Sequence, residues 1–135
     1  MIFERKVNYY ETDAMGIVHH SNYIRFLEEA RCYLLEKMQL PYDEIERNGI
    51  MIPVLEVNCK YKHPAKYNDL ILIDVKLAEL KGARMTIKYT IKNKEGNLVV
   101  EAQTRHCFTD FNLKPIALKK VKPDIYEILE KMTRQ

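Results

Sequence analysis

Two hydrophobic periods divide the chain. Between Tyr23 and Met38 apolar residues recur at three- and four-residue spacing, which predicts one long helix. Its predicted buried face carries Ile24, Leu27, Arg31, Leu34, Leu35 and Met38. Further apolar residues widen this face, so we expect the helix to be buried against more than one surface. Ser21, or Asn22 beside it, is the expected N-cap, because its side-chain oxygen can accept a free N–H of the first turn.

Elsewhere the pattern alternates with the period of a strand. The predicted elements are a strand Ile2–Tyr9, the long helix, a short helix Tyr42–Arg47 after Pro41, an extended run from Ile50 to near His63-Pro64, strands Leu70–Leu77, Met85–Lys92 and Leu98–Phe111, and an amphipathic helix Pro123–Met132. This order predicts an α+β layout in which an antiparallel sheet wraps around one helix. No repeat or linker interrupts the pattern, so we expect a single domain over residues 1–135.

Composition excludes several classes of protein. Hydrophobic residues make up 47% of the 135 residues, enough for one core. The net charge of +3 is too small to indicate nucleic acid. We expect no membrane span and no signal peptide, because no apolar run is long enough and the first residues carry charges. Cys32, Cys59 and Cys107 are odd in number and form no CxxC pair, which predicts reduced thiols in a cytoplasmic protein.

The candidate chemistry lies between the first strand and the long helix. Asp13 is a carboxylate in a loop that ends at the helix N-terminus, where free N–H groups and the helix dipole favour negative charge. Such a loop can hold an anion, or stabilise one that develops on a substrate oxygen. A turn or capping aspartate gives the same pattern, and on position alone that is the more common role.

Ordinary alternatives also exist for the neighbouring residues. The pair His19-His20 lacks a third ligand at a suitable spacing, so we expect no metal. Gly16 permits close approach of a ligand to the backbone, or only relieves a turn. Ser21 lacks the Gly-x-Ser-x-Gly pattern of a nucleophile, which favours capping. Five basic residues lie on predicted strands or turns, where they would form a solvated face, although one or two could bind phosphate. They are Lys60, Lys62, Lys66, Arg84 and Arg105.

The stretch Tyr10–Tyr23, YETDAMGIVHHSNY, resembles the active-site signature of the 4-hydroxybenzoyl-CoA thioesterase family. Within that family it is most similar to the short acyl-CoA thioesterases that accompany the bacterial Tol–Pal system. The segments Phe26–Arg31 and Lys60–Asp69 extend the resemblance over nearly the whole chain. It implies the hotdog fold, a central helix wrapped by a five-stranded antiparallel sheet, which agrees with the layout that periodicity predicts.

The resemblance also implies roles for single residues. Asp13 would attack a thioester carbonyl, or act as the general base for a water that does. The backbone N–H of His20 would stabilise the oxyanion, and its imidazole could assist. Gly16, His19 and Tyr23 would contact the substrate.

The resemblance further implies an active site between two subunits, and hence a homodimer or a dimer of dimers. Lys60, Tyr61 and His63 of the second subunit would complete the acyl pocket, and Arg84 or nearby lysines would meet the nucleotide phosphates of coenzyme A. A thioester is already activated, so no metal or redox cofactor is expected; coenzyme A is part of the substrate.

Two other functions compete with hydrolysis. A hotdog dehydratase or hydratase needs a carboxylate on the helix with a differently placed histidine, whereas Asp13 precedes the helix. A non-catalytic acyl-CoA-binding protein is favoured by a fused DNA-binding segment, which the sequence does not contain. Still open are the length of the acyl chain, its aromatic or aliphatic character, coenzyme A against acyl-carrier protein, and nucleophile against base for Asp13.

Overall fold

One long helix and one five-stranded sheet form the centre of the molecule in the computed structural model, which describes residues 1–135. The helices are α1 (His20–Lys37), α2 (Tyr42–Arg47), α3 (Leu118–Val121) and α4 (Pro123–Met132). The strands are β1 (Ile2–Lys6), β2 (Val54–Tyr61), β3 (Leu70–Lys81), β4 (Arg84–Asn93) and β5 (Leu98–Cys107). All strand pairs are antiparallel, and the order β1-β3-β4-β5-β2 leaves β1 and β2 at the edges.

The core lies between α1 and one face of the sheet. Alternate residues of the two central strands, such as Ile73 on β3 and Ile91 on β4, are fully buried and lie opposite each other in the ladder. Phe26, Leu27 and Ala30 cover them from α1 and are equally buried. Each large aliphatic side chain removed from water in this way stabilises the fold by about 1.5–3 kcal/mol. The predicted layout of a sheet around one helix is confirmed.

The buried face of α1 differs from the predicted one. Ile24 was expected in the core but is 45% exposed, whereas Phe26 and Ala30 lie at its centre. Arg31 is buried, although it interrupts the apolar pattern. Its guanidinium is accommodated because Nη1 donates to the hydroxyl of Tyr89, 3.2 Å away.

The contact between Arg31 and Tyr89 is part of a chain of buried polar groups that extends along strands β4 and β5. The Tyr89 hydroxyl lies 2.6 Å from Oγ1 of Thr104, and Nε2 of His106 lies 2.8 Å from the same oxygen. Burial, and then the charge of Arg31, lower the pKa of His106 to about 4. The imidazole is therefore neutral in the folded protein at neutral pH.

Several element boundaries also differ from prediction. β1 ends at Lys6, and Tyr9–Glu11 forms a 3-10 turn, because Glu11 folds back to accept the backbone N–H of Asn8 at 2.7 Å. β5 ends at Cys107 and not at Phe111, and Thr109 beyond it forms isolated bridges with Met51 and Pro115 instead of a continued strand. The helices Tyr42–Arg47 and Pro123–Met132 have the predicted bounds, whereas α3 was not predicted. None of the helices combines the length and apolar character that a membrane crossing requires.

Candidate active site

Asp13 begins a tight turn that closes on itself. Its N–H donates to the carbonyl of Ile17 at 2.8 Å, and its carbonyl accepts from Gly16 at 2.9 Å. Oδ1 of Asp13 accepts the N–H of Met15 at 2.8 Å, and Oδ2 accepts no hydrogen bond from the chain. Gly16 has φ +78°, where only glycine is unstrained, and a Cβ there would meet nothing within 4 Å. Backbone conformation, and not crowding, therefore accounts for this glycine.

The helix after the turn starts earlier than predicted and has a different cap. The N-cap is His19, whose Nδ1 accepts the backbone N–H of Ser21 at 3.2 Å, so the prediction of Ser21 or Asn22 is wrong. Ser21 lies in the first turn, and its hydroxyl is 2.8 Å from the same ring nitrogen. Asn22 also has another partner, because its Nδ2 donates to the carbonyl of Glu11 at 2.8 Å.

One amide at this helix start is left free. The N–H groups of His19 and Asn22 donate to Glu11 and His19, both at 2.9 Å, and that of Ser21 is capped as described. The N–H of His20 has no partner within the chain. A free N–H at the positive end of α1 is suited to stabilise a negative oxygen.

Asp13 and His20 line the same depression, which has a volume of about 510 Å³ and is called here the Asp13 pocket. Its complete lining is Asp13, Met15, Ile17, Val18, His20, Tyr23, Tyr61, Lys62, His63 and Pro64. The ring of Tyr61 lies 5.6 Å from that of Tyr23 and 6.3 Å from that of His20, measured between centroids. The pocket thus combines a carboxylate and a free amide with a mainly apolar and aromatic wall.

The two tyrosines of the pocket are neutral at physiological pH. Burial raises the pKa of Tyr23 to about 12, and burial also raises the pKa of Tyr61. The Tyr61 hydroxyl donates to the carbonyl of His20 at 3.5 Å, a long contact between the end of β2 and the first turn of α1. Both phenols can act as walls and hydrogen-bond donors, and neither is available as a base.

The remaining predicted site residues near Asp13 either line its pocket or lie beside it. Tyr61 and His63 line the Asp13 pocket of their own chain. Their contribution to the pocket of a second subunit stays a prediction. His19 is exposed and lies outside the lining, where its ring stacks on that of His20 with centroids 4.3 Å apart. Gly16 forms the turn behind the pocket and is also absent from its lining.

Lys60 and Arg84 lie on the face of the sheet that is turned away from the core. Lys60 lines a shallow depression with Lys88 and Glu101. Arg84 lines an adjoining groove of about 490 Å³, called here the Arg84 groove. Its charged residues are Glu56, Glu79, Lys81, Arg84, Lys88 and Arg105. None of its four cations forms a salt bridge within the chain, so the groove has unpaired positive charge.

Sequence reasoning missed several residues around the pocket. Met15, Ile17 and Pro64 supply apolar wall, and only their position next to quoted motifs could have indicated this. Arg5 and Glu11 form a partly buried ion pair at the base of the Asp13 turn, with 2.7 Å between Nη1 and Oε1. The spacing from Asn8 to Glu11 is that of a capping box and was an available signal for the turn.

The architecture and the pocket define this chain as a hotdog-fold protein, and comparison with known proteins identifies its family. The profile of the thioesterase-like superfamily matches residues 7–129. A protein of Aquifex aeolicus (strain VF5), provisionally described as an esterase, is 38% identical over 96% of this chain and 97% of its own length. The chain belongs to the thioesterase-like superfamily. The named thioesterases among its relatives identify it as a thioester hydrolase.

Two further relatives are close in structure or sequence. The solved structure of a DHNA-CoA thioesterase from Staphylococcus aureus superposes with a TM-score of 0.92 at 30% identity, covering 98% of this chain and 90% of that one. The acyl-CoA thioester hydrolase YbgC of Escherichia coli O6:H1 is 28% identical over 85% of this chain and 87% of its own length. The hotdog architecture is thus shared over nearly the full chain.

Proposed function

We propose that this chain hydrolyses the thioester of a small acyl-CoA to the free acid and coenzyme A. Asp13 would be the nucleophile or general base, and the N–H of His20 would stabilise the oxyanion. The observation that carries the proposal is that two residues lining one pocket, Asp13 and His20, have a carboxylate oxygen without a hydrogen bond and a free helix-start amide, respectively. Relatives that are named acyl-CoA thioester hydrolase and DHNA-CoA thioesterase support the substrate class.

Two routes are compatible with this geometry. In the first, Oδ2 of Asp13 attacks the carbonyl carbon, the C–S bond breaks, the thiolate leaves, and water then cleaves the acyl–aspartate anhydride. In the second, Oδ2 takes a proton from a water that attacks the carbonyl directly, and that proton finally reaches the thiolate. In both routes negative charge develops on the carbonyl oxygen, where one donor such as the His20 N–H contributes roughly 10²–10³ in rate.

We also propose a homodimer that is formed through the β2 edges. β2 is an edge strand of eight residues, and its apolar side chains Val54, Leu55, Val57 and Tyr61 are all exposed. Long edge strands with several exposed apolar side chains are rare in monomers, because they pair readily with other strands. A two-fold axis would make the two β2 strands antiparallel, so that each strand end lies beside the partner's strand start. A pair of such dimers would give the tetrameric form.

The dimer would bring the Arg84 groove of one subunit to the Asp13 pocket of the other. Within one chain, Leu55 in the groove and Tyr61 in the pocket are separated by roughly 20 Å along β2, at 3.3 Å per residue. In an antiparallel pair, the Leu55 end of one β2 strand would lie beside the Tyr61 end of the partner's strand. We therefore propose that the partner's groove, including Arg84, receives the nucleotide phosphates, with Lys60 nearby on the same face of the sheet.

The proposal also includes the absence of a cofactor, the location of the protein and its subfamily. Hydrolysis of an activated thioester requires neither a metal nor a redox cofactor. A cytoplasmic location is supported by the free thiols of Cys32, Cys59 and Cys107. Placement with the Tol–Pal-associated acyl-CoA thioesterases rests on the sequence motif around Asp13, together with the similarity to YbgC.

The test is free-thiol release from short aliphatic, long aliphatic and aromatic acyl-CoAs, with wild type beside Asp13→Asn. The variant keeps the size of the side chain and removes its charge, so we expect a loss of at least about 10²-fold. Asp43→Asn, at an exposed carboxylate on α2, is the matched control and should retain full activity. No hydrolysis by wild type, or equal activity in Asp13→Asn, would favour the dehydratase or acyl-CoA-binding alternatives.

A further inference from the structure

Arg5 connects three elements that meet beside the Asp13 turn. From β1 its Nη1 and Nη2 donate to the two carboxylate oxygens of Glu11 at 2.7 and 2.9 Å. Its Nε donates to Glu29 on α1 at 2.8 Å. Its guanidinium carbon lies 4.0 Å from the ring centroid of Phe26, also on α1. The planar fork of arginine suits such simultaneous contacts, whereas lysine cannot make them.

Glu11 connects Arg5 to the candidate active site. Its side chain accepts the N–H of Asn8 in addition to Arg5, and the residue is only 5% exposed. Its backbone carbonyl accepts both the His19 N–H at 2.9 Å and the Asn22 side chain at 2.8 Å. Glu11 therefore closes the base of the loop, with the Asp13 turn on one side and the start of α1 on the other.

We propose that Arg5 and Glu11 are positioning residues, which hold the Asp13 carboxylate at a fixed distance from the free N–H of His20. This inference rests on the proposed function. Neither side chain lines the pocket, so both act through the backbone of the loop. Displacement of a reacting group by about 1 Å can reduce a rate by 10²-fold, so a small relaxation at Glu11 reduces turnover before it unfolds the protein.

The alternative is an ion pair that contributes only to stability. The arrangement of contacts distinguishes the two roles, because Arg5 has two carboxylate partners in different places. Glu11 is bonded to the loop and the helix start, whereas Glu29 lies further along α1 and its carboxylate contacts only Arg5. Removing the Glu11 carboxylate therefore tests the positioning of the loop, whereas removing the Glu29 carboxylate tests charge pairing with Arg5 alone.

The test compares Arg5→Lys, Glu11→Gln and Asn22→Ala with Glu29→Gln as the matched control. The first three weaken the loop anchor, and we expect kcat to fall about tenfold with KM almost unchanged, because geometry and not substrate binding is altered. Glu29→Gln should retain the kcat of wild type. Because Arg5→Lys and Glu11→Gln disturb one contact, the double variant should lose less than the product of the single effects.

Amide hydrogen exchange gives a readout that does not depend on activity. The His19 and Gly16 amides should exchange faster in Arg5→Lys and Glu11→Gln, while those of the central strands β3 and β4 stay protected. Lower melting temperatures with unchanged kcat and unchanged exchange at these two amides would overturn the proposal, as would a Glu29→Gln variant that loses as much kcat. If wild type releases no thiol, the proposed hydrolysis fails, and the exchange data alone decide whether Arg5 and Glu11 fix the loop.

Discussion

Arg31 on the central helix and Tyr89 on strand β4 meet inside the core, where the guanidinium Nη1 donates to the phenol oxygen at 3.2 Å. Tyr89→Phe removes that oxygen and leaves Arg31 and Thr104 without this partner. We expect the free energy of unfolding to fall by about 1–3 kcal/mol, the penalty for leaving buried polar groups unsatisfied. Urea denaturation measures the change. Tyr126→Phe on α4, whose hydroxyl forms no hydrogen bond in the chain, should stay within about 0.5 kcal/mol of wild type.

The buried imidazole of His106 makes stability depend on pH. Its pKa falls from 6.5 in the unfolded chain to about 4 in the fold. Between these values the unfolded state binds the proton more readily, so stability is complete above pH 6.5 and is lost as the pH falls towards 4. The whole shift corresponds to about 3 kcal/mol.

Denaturation midpoints measured between pH 7 and pH 4 check this dependence. His106→Gln cannot titrate at that position, so its stability should decrease less steeply over the same interval. Parallel curves for the variant and wild type would show that His106 does not control the transition.

The free N–H of His20 can be tested without disturbing the helix. His20 is the first residue of α1, a position that tolerates proline, and His19 before it has ψ 134°, which a following proline favours. His20→Pro removes the N–H and the imidazole while keeping a backbone that suits the first residue of a helix, and we expect kcat to fall roughly 10²–10³-fold. His20→Ala keeps the N–H and should retain most of the activity.

Circular dichroism of both His20 variants controls for loss of α1. A His20→Ala variant that is as inactive as His20→Pro would assign the role to the imidazole and not to the backbone.

Introduction of a charge on the open sheet edge tests the dimer. Val57→Lys puts a lysine in the middle of β2, and edge lysines prevent strand pairing in natural sheets. We expect a folded monomer by light scattering and a clear loss of thioesterase activity. Ile2→Lys on β1, at an exposed position of the other edge strand, should change neither property. A Val57→Lys protein that remains dimeric would place the interface elsewhere.

The Arg84 groove should act on the nucleotide part of the substrate. Arg84→Ala removes one unpaired cation, so we expect KM for acyl-CoA to rise about tenfold, equivalent to 1.4 kcal/mol. KM for the corresponding acyl-pantetheine, which lacks the nucleotide, should not change. Lys92→Ala, on the same strand but outside the groove, is the control. Equal effects on both substrates would argue against a phosphate contact.

Periodicity was sufficient to predict α1 and the strands β3, β4 and β5, because burial of one face leaves a regular spacing of apolar residues, whereas the four-residue α3 was missed. The alternation along β4 and the spacing along α1 both follow from burial against one layer. The boundaries that were missed depend on single contacts. Glu11 ends β1 early through Asn8, and His19 caps α1 although histidine is not a preferred N-cap residue.

The candidate site was only partly predictable for a similar reason. Asp13 and His20 are close in sequence, so one motif describes both. Tyr61 and His63 join them because the end of β2 lies over the helix start, a tertiary relationship that no local pattern contains. The ion pair of Arg5 and Glu11 was also missed, since charged residues in strands and turns are usually solvated.

The Asp13 turn has a consequence for how this protein can evolve. Its hydrogen bonds use main-chain atoms and the Asp13 carboxylate, while the side chains of Ala14 and Met15 are exposed and form none of them. Drift at Met15, which lines the Asp13 pocket, can therefore alter the pocket wall without breaking the turn that holds the Asp13 carboxylate. A change at Asp13 has no such freedom, because its main-chain atoms and Oδ1 hold the turn, while Oδ2 is the oxygen to which we assign the proposed chemistry.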